Sequence, residues 1–504
     1  MPDSTTPPAL GPEQRAAAAR LLAAAWPAAA ELGEIFARHG HQLAIVGGSV
    51  RDVFLRRRSA DLDLTTDARP ERVMEITEKW ADSTWPAGLA FGTVGLRKGP
   101  ATIEITTYRS EEYDPGSRKP AVAFGRTLEG DLARRDFTIN AMARPLAARD
   151  TTSLVDPFGG AADLAGARLR MVSAAALDAD PLRTLRAARL ACELALEIEP
   201  ATAAAVRERA PALAGVAVER VFAELRRIVL APYPVRGVRL AEELGVAAVV
   251  LPELGRMEGV GQGIYHHLDV HDHTLAVLEA VVALQADPEA VLGPATAATD
   301  AHLRAEVGDG FDGWGALRLA ALLHDAAKPD TRTVFPGDRV GFPGHDVQGA
   351  DLVLSILRRL RTSARLGAHV AALTQHHLRL GFLVHETPLD RRALDAYFRA
   401  TEPVGVDVTV LTVADRLATR GRKADEAIAR HLALAREVLA VAPEWEAARR
   451  APPLVRGDKV ARALGIAKGP RLGAALEELR TAHFAGEVST PEEALEHLRG
   501  WTPA

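Results

Sequence analysis

The chain has 504 residues, room for roughly three domains at about 150 residues each, and carries 61 Lys and Arg against 66 Asp and Glu, a net charge of −5. That balance excludes a protein that coats nucleic acid through bulk charge, though not one with a local basic patch. Hydrophobic residues at 48%, charged residues at 25% and the single cysteine Cys192 exclude a largely disordered chain and a disulfide scaffold, and point to an alanine-rich, mainly helical protein of a reducing, cytoplasmic compartment.

In chain order, residues 1–12 (MPDSTTPPALGP) are polar and Pro-rich and are expected to form a disordered tail. A helical pattern follows to about His39. Its apolar stretch 21–30 is short and broken by Pro27, so it reads as an amphipathic helix; no run reaches the ~18 apolar residues of a membrane span. LAIV (43–46) reads as a buried strand closed by Gly47-Gly48 and followed by the helical SVRDVFLRR. DLDLTT (61–66) alternates, with Asp61 and Asp63 on one face and Leu62 and Leu64 on the other. GTVGLR (92–97) and TIEITTY (102–108) are further strands, so an αβ head is expected over 13–150, with RSEEYDPGSRKP (109–120) as a flexible basic loop. Beyond about residue 160 strand signals nearly vanish. Helical period over 178–196, 218–230 and 238–245 gives a helical neck over 151–255. A His-rich block over 256–435 follows, in which 287–313 reads as a turn-rich loop insertion, and 436–504 reads as a helical tail.

Chemistry concentrates first around residues 47–63. Asp61 and Asp63 are placed to share divalent ions, and Mg²⁺ favours one or two carboxylates plus substrate phosphates. A D-x-D triplet alone fits a solvated edge strand equally well; the upstream GGSVRD (47–52) makes the difference. Gly47 and Gly48 let the backbone approach phosphate, the helix start favours an anion, and Arg51 stands one turn in, in reach of a triphosphate.

These residues, I-V-G-G-S-V-R-D…D-L-D-L-T-T, resemble the signature of the class II tRNA nucleotidyltransferase and bacterial poly(A) polymerase family, which has a polymerase-beta-like head. RRDFTINAMA (134–143), DPFGGAADL (156–164), DPLRTLRAARL (180–190) and ERVFAEL (219–225) resemble its later motifs in the same order. The resemblance implies an α+β fold: a small head with a mixed sheet, then an all-helical neck and nucleotide-selecting domain, and an RNA-contacting tail. It implies Mg²⁺ on Asp61 and Asp63, with Glu104 as the candidate third carboxylate, and a triphosphate held by Gly47, Gly48 and Arg51. Arg135 would lie at the nucleotide, with Asp136 and Asn140 orienting the sugar or bracing the site. Asp180 and Arg183, three apart, are expected on one helix face. There a carboxylate accepts from an exocyclic amine and a guanidinium donates to a ring acceptor, a pattern that C and A satisfy and U and G do not. Arg186 and Arg189 would add nucleotide contacts, and Arg134–Arg135, Arg168–Arg170, Arg183–Arg189 and Arg226–Arg227 a local basic track. The implied activity is template-independent addition of C, C and A from CTP and ATP to tRNA 3′ ends; poly(A) polymerases and enzymes adding only A or only CC share these motifs. The implied partners are tRNA, CTP and ATP, without DNA or membrane, for a monomer or homodimer.

The His-rich block carries a second pattern. His273, His324-Asp325, His345, His376-His377 and Asp415, in that order, resemble the HD metal-dependent phosphohydrolase superfamily. The implied ligands are His273, His324, Asp325, His345, His376 and Asp415, for a divalent transition metal or Mg²⁺. His266, His267 and His271 are expected to be surface or supporting groups, and the 287–313 insertion departs from the compact HD pattern. A phosphohydrolase whose head merely binds is the alternative from a different class.

Overall fold

The computed structural model describes residues 27–57, 61–88, 92–110, 123–146, 154–263, 266–420 and 424–501; the expected tail 1–12 and most of the expected loop 109–120 lie outside them. The chain forms two compact units, residues 1–216 with 239–249, and 217–238 with 250–504.

The first unit opens with α1 (Pro27–Arg38), β1 (Leu43–Val46), α2 (Gly48–Phe54), β2 (Asp61–Thr66), α3 (Pro70–Thr77), β3 (Ser83–Gly88), β4 (Thr93–Lys98), β5 (Ala101–Thr107), α4 (Leu128–Ala133) and β6 (Ala143–Pro145). Six of its strands form one sheet in the order β3-β4-β5-β2-β1-β6, with β2 and β5 parallel and the other pairs antiparallel, the expected mixed sheet. Period-two alternation makes the sheet two-faced. Leu62, Leu64, Val94, Leu96, Ile103 and Ile105 are at most 1% exposed, each contributing about 1.5–3 kcal/mol of burial. The opposite face carries Asp61, Asp63 and Glu104. β3 was not foreseen: STWPAG contains Pro86 and Gly88, which an edge strand tolerates.

The neck departs from the all-helical expectation at two points, the first being a short parallel pair of Arg168–Leu169 with Glu197–Ile198. Residues 178–196 are not a single helix: α5 (Ala174–Ala179) stops, Asp180 adopts φ −147° and ψ 98°, and α6 (Leu182–Leu194) starts after Pro181. Proline disfavours the helical region for the residue before it and lacks the amide a continuous helix needs. Asp180 and Arg183 therefore do not share a helix face.

In the second unit, α7 (Val218–Val229) precedes a helical array built from α8 (Val270–Ala286), α9 (Thr296–Leu303), α10 (Gly313–Leu323), α11 (His345–Arg359), α12 (Ala364–His376), α13 (Arg391–Thr401) and α14 (Gly405–Ala418). The 287–313 segment is not a loop. It forms Glu289–Leu292, a 3-10 turn, α9 and a small hairpin of Glu306–Gly308 with Phe311–Asp312, and it buries Leu292, Leu303 and Phe311. Its short helices are separated by Pro and Gly, which hide their period. The boundary expected at residue 436 falls inside α15 (Ala424–Arg450), a helix of 27 residues. The tail helix α16 (Pro470–Ala485) is keyed to α13 through buried Asp395, which accepts from Thr481 at 2.6 Å and from the Trp445 indole at 2.8 Å. No helix among the described residues is long and apolar enough to cross a membrane.

The insertion is anchored by an ionic contact with a testable pH signature. Asp407 on α14 sits between His302 Nε2 at 2.7 Å and His369 Nε2 at 3.1 Å. Burial opposes its charge, yet the two imidazoles hold its carboxyl down to about 2, while the hydrogen bond to Asp407 pushes His302 up. The depressed carboxyl contributes stability above its unfolded pKa that is lost as pH falls toward 2. The raised His302 contributes stability below its unfolded pKa that is lost as pH rises through its folded value. Asp407→Asn is thus expected to cost ~2 kcal/mol near pH 5, with the deficit shrinking below pH ~3 and above pH ~8. Thermal unfolding of both proteins across pH measures this; a deficit independent of pH would exclude the ionic anchor.

Candidate functional site

The head site is assembled on two neighbouring parallel strands. Asp63 on β2 is directly paired with Glu104 on β5, and Asp61 with Thr102, so all three acids project from the polar face. Ser49, in the first turn of α2, fixes the acidic strand: its hydroxyl accepts from the Asp63 amide at 2.9 Å and donates to the Asp61 carbonyl at 3.3 Å. Asp61 and Glu104 are exposed and Asp63 is partly buried. Burial, reinforced by Glu104 and Asp61 and only partly offset by Arg135 and Arg51, pushes the Asp63 carboxyl up to about 6. Three convergent carboxylates that resist sharing negative charge are a donor set suited to a divalent cation.

Gly47 and Gly48 border this set. Gly47 has φ 68°, and a Cβ there would stand 2.8 Å from an Arg135 guanidinium nitrogen, so both backbone and space require glycine. α2 is only seven residues long, so the cationic character comes chiefly from arginines. From Arg51 a polar chain crosses to the neck: Arg51 donates to Asn140 Oδ1 at 2.7 Å, Asn140 Nδ2 to Asp136 Oδ1 at 3.0 Å, and Arg186 to Asp136 Oδ2 at 3.0 Å. Burial opposes the charge of Asp136, but Arg186, Asn140 and Arg183 hold its carboxyl at about 2. Arg135 is held by Asp131 at 3.1 Å. Arg183 donates to the carbonyls of Arg134 and Ala176, both at 2.8 Å, and Asp180 accepts from the Leu182 amide at 3.3 Å. Arg189 is 5% exposed and paired with Glu193 at 2.6 Å, inside the neck. The Arg51–Asn140–Asp136–Arg186 chain was beyond sequence reasoning because it joins residues far apart in the chain, whereas the Asp131–Arg135 pair, four residues apart, was a local signal that went unread.

The second unit gathers a denser cluster. His273 from α8, Asp415 from α14, His324 and Asp325 from the end of α10, and His345 from the start of α11 converge as the order of the motif predicted. Candidate ligand atoms of His273, His324 and Asp415 lie within 4.8 Å of one another, and so do those of Asp325, His345 and His377. Asp325 lies between the two sets, 3.2 Å from His324 and 3.7 Å from His273 through one oxygen, and 3.5 Å from His345 and 3.9 Å from His377 through the other. His377, not His376, completes the second set. α12 ends at His376, whose Nδ1 accepts from Arg379 at 3.2 Å, while the next residue turns inward, 3% exposed, to within 3.3 Å of His345. Adjacent residues at a helix end point in different directions, so the pair in sequence could not say which imidazole enters.

Lys328 was also missed. Its ammonium is 2.7 Å from Asp325 and donates to Gln262 at 2.6 Å; the spacing of three from Asp325 was the available signal. Of the neighbouring histidines, His266 stands edge-on to His273 with ring centroids 5.0 Å apart. Burial opposes charge on Asp325, yet His324 and Lys328 hold its carboxyl well below the ordinary carboxylate range. His273 Nε2, His324 Nε2 and both Asp325 oxygens are buried at the centre of the cluster, with Asp415 3.0 Å from His273 Nε2 and the Lys328 ammonium on one Asp325 oxygen. Buried imidazole and carboxylate atoms aimed at common points fit divalent metal.

Comparison with known proteins agrees with this division. Residues 43–170 match the poly(A) polymerase head domain, 195–257 the probable RNA- and SrmB-binding site of polymerase A, and 270–420 the HD domain. The chain is 35% identical to an A-adding tRNA nucleotidyltransferase of Deinococcus radiodurans over 91% of this chain and 95% of that protein. It is 33% identical to a CC-adding tRNA nucleotidyltransferase of Thermus thermophilus, over 90% and 93% of the two chains. A solved CCA-adding enzyme in an apo form shares the fold, with a TM-score of 0.65 at 19% identity over 95% of this chain and 97% of the other.

Proposed function

The chain belongs to the tRNA nucleotidyltransferase family, and from that premise we propose that it adds C, C and A, drawn from CTP and ATP, to the 3′ end of tRNA without a template. The observation that carries this reading is the direct pairing of Asp63 with Glu104 beside Asp61 and the Gly47 turn. Asp61, Asp63 and Glu104 would hold Mg²⁺, which supplies charge neutralisation at the primer 3′-hydroxyl and at the leaving pyrophosphate. Gly47 and Gly48 let the triphosphate approach the backbone, and Arg51 and Arg135 face its charge. Asn140 and Asp136 hold Arg51 and Arg186 in register, so the phosphate end and the base end of the nucleotide are aligned through one hydrogen-bonded chain.

Base choice rests on Asp180 and Arg183. The Pro181 break puts Asp180 ahead of α6 and Arg183 in its first turn. Arg183→Ala is expected to lower the kcat/KM preference for CTP over UTP by about 5- to 150-fold, the 1–3 kcal/mol of an unpaired buried polar group. Competing CTP and UTP on one tRNA measures it; an unchanged preference would remove Arg183 from selection.

A narrower activity is the second reading, because relatives spanning nine-tenths or more of this chain are named A-adding and CC-adding. Truncated tRNAs offered single labelled nucleotides separate the three. The HD centre adds a further proposal: His273, His324, Asp325, His345, His377 and Asp415 bind divalent metal, which would supply a polarised water for phosphoester hydrolysis. The two convergent sets of buried candidate ligands support it. Metal content after dialysis against Mn²⁺, Co²⁺ or Ni²⁺, with hydrolysis of a simple phosphodiester, tests the two halves separately.

A further inference from the structure

The polar face of the head sheet carries a large aromatic that the chemistry above leaves unused. Strand register places it. Trp85 on β3 is directly paired with Gly95 on β4, Gly95 with Glu104 on β5, and Glu104 with Asp63 on β2. Directly paired residues project from the same face, so the indole, the glycine and the two carboxylates form one row across four adjacent strands. Gly95 contributes no side chain, and the indole occupies the space. A Cβ on Gly95 would stand 2.4 Å from Trp85 Cε2 and 2.5 Å from Nε1. The ring therefore lies down over Gly95 toward Glu104. Gly95 is buried beneath it, while Trp85 itself stays 37% exposed. The next row along the strands is Ser83, Arg97, Thr102 and Asp61, which puts an exposed guanidinium on the same face.

Two strand spacings separate Gly95 from Asp63, roughly 10 Å. That is the span of one nucleotide whose ribose hydroxyl is at the carboxylates and whose base reaches outward. We propose that Trp85 is a positioning residue for the primer: its indole stacks on the 3′-terminal base of the RNA, and Arg97 faces the adjoining phosphate. Stacking suits this task because every base has a π-face, and the terminal base changes identity after each addition. The proposal rests on nucleotidyl transfer at Asp61 and Asp63. A purely structural Trp85, shielding the edge of the sheet, would affect stability without regard to the primer's base.

The test is steady-state addition by full-length Trp85→Ala and Trp85→Phe proteins on tRNA with either a normal or an abasic 3′-terminal nucleotide. Trp85→Ala is expected to raise KM for the normal primer about tenfold or more, with KM for the incoming nucleotide and kcat at saturating primer within about twofold. Trp85→Phe recovers most of the loss. On the abasic primer, wild type and Trp85→Ala have the same KM. An unchanged KM on the normal primer, or an equal loss on both primers, overturns the stacking. Asp63→Asn assayed in parallel separates the two levels: if it still adds nucleotides, the site reading fails and takes the proposal with it. If Asp63→Asn is inactive and Trp85→Ala is unchanged, the stacking alone fails.

Discussion

Asp63→Asn is expected to abolish nucleotide addition, by about 10³-fold or more in kcat, and at the same time to make the metal-free protein more stable. Both effects come from the same carboxyl. Burial first, then the neighbouring Glu104 and Asp61, push it from its ordinary 3.8 up to about 6. A carboxyl with a raised folded pKa leaves the native state holding more protons than the unfolded chain between those values. Stability then falls as pH rises through that window and stays low above it. Removing the charge should return ~2 kcal/mol at pH 7.5, a gain that vanishes below pH ~4. Mg²⁺ should raise the Tm of wild type more than that of Asp63→Asn. Thermal unfolding against pH, with and without Mg²⁺, checks the stability; single-turnover addition checks the chemistry. A variant that adds nucleotides at a tenth of the wild-type rate or faster would move the reaction away from this strand.

Asp325→Ala should be the most damaging single change in the second unit, costing ~3 kcal/mol or more. Asp325 is 1% exposed and is the partner of the buried Lys328 ammonium at 2.7 Å. Its removal leaves that cation with Gln262 as its neutral partner. The loss is therefore chiefly an uncompensated buried charge, and Asp325→Ala/Lys328→Met should regain most of it. Metal binding should be lost in both proteins, since Asp325 lies between the two ligand sets. Calorimetric metal titration and thermal unfolding read the two effects independently. Full metal affinity in Asp325→Ala, or no recovery in the double variant, would contradict this account. Addition assayed below the unfolding transition should persist in both, which also separates a nucleotidyltransferase from a phosphohydrolase with a passive head.

Much of the head was legible because its signals are local. The alternation of DLDLTT put Asp61 and Asp63 on one face, and GGSVRD marked the turn and helix beside them. Glu104 was legible as a strand acid, and its direct partnership with Asp63 followed once the two strands were parallel neighbours. Signals failed where geometry is decided at a distance or by a single bond. Pro181 ends what reads as continuous helical period. His376 and His377 are equivalent in sequence, and the turn at the end of α12 alone chooses His377. Pro and Gly in 287–313 and 83–88 hid short helices and an edge strand, because those residues are tolerated where they stand. The chain from Arg51 through Asn140 and Asp136 to Arg186 spans contacts 89 and 50 residues apart in sequence, which no local pattern reports.

The head is expected to extend tRNA 3′ ends with C and A. Incubation of the full chain with Mg²⁺ and tRNA lacking its terminal CCA, offered CTP and ATP singly and together, tests it most directly. Two cytidines are expected from CTP alone and a complete CCA end when both are present. Incorporation of ATP alone with CTP inert, or no incorporation of either, would contradict it.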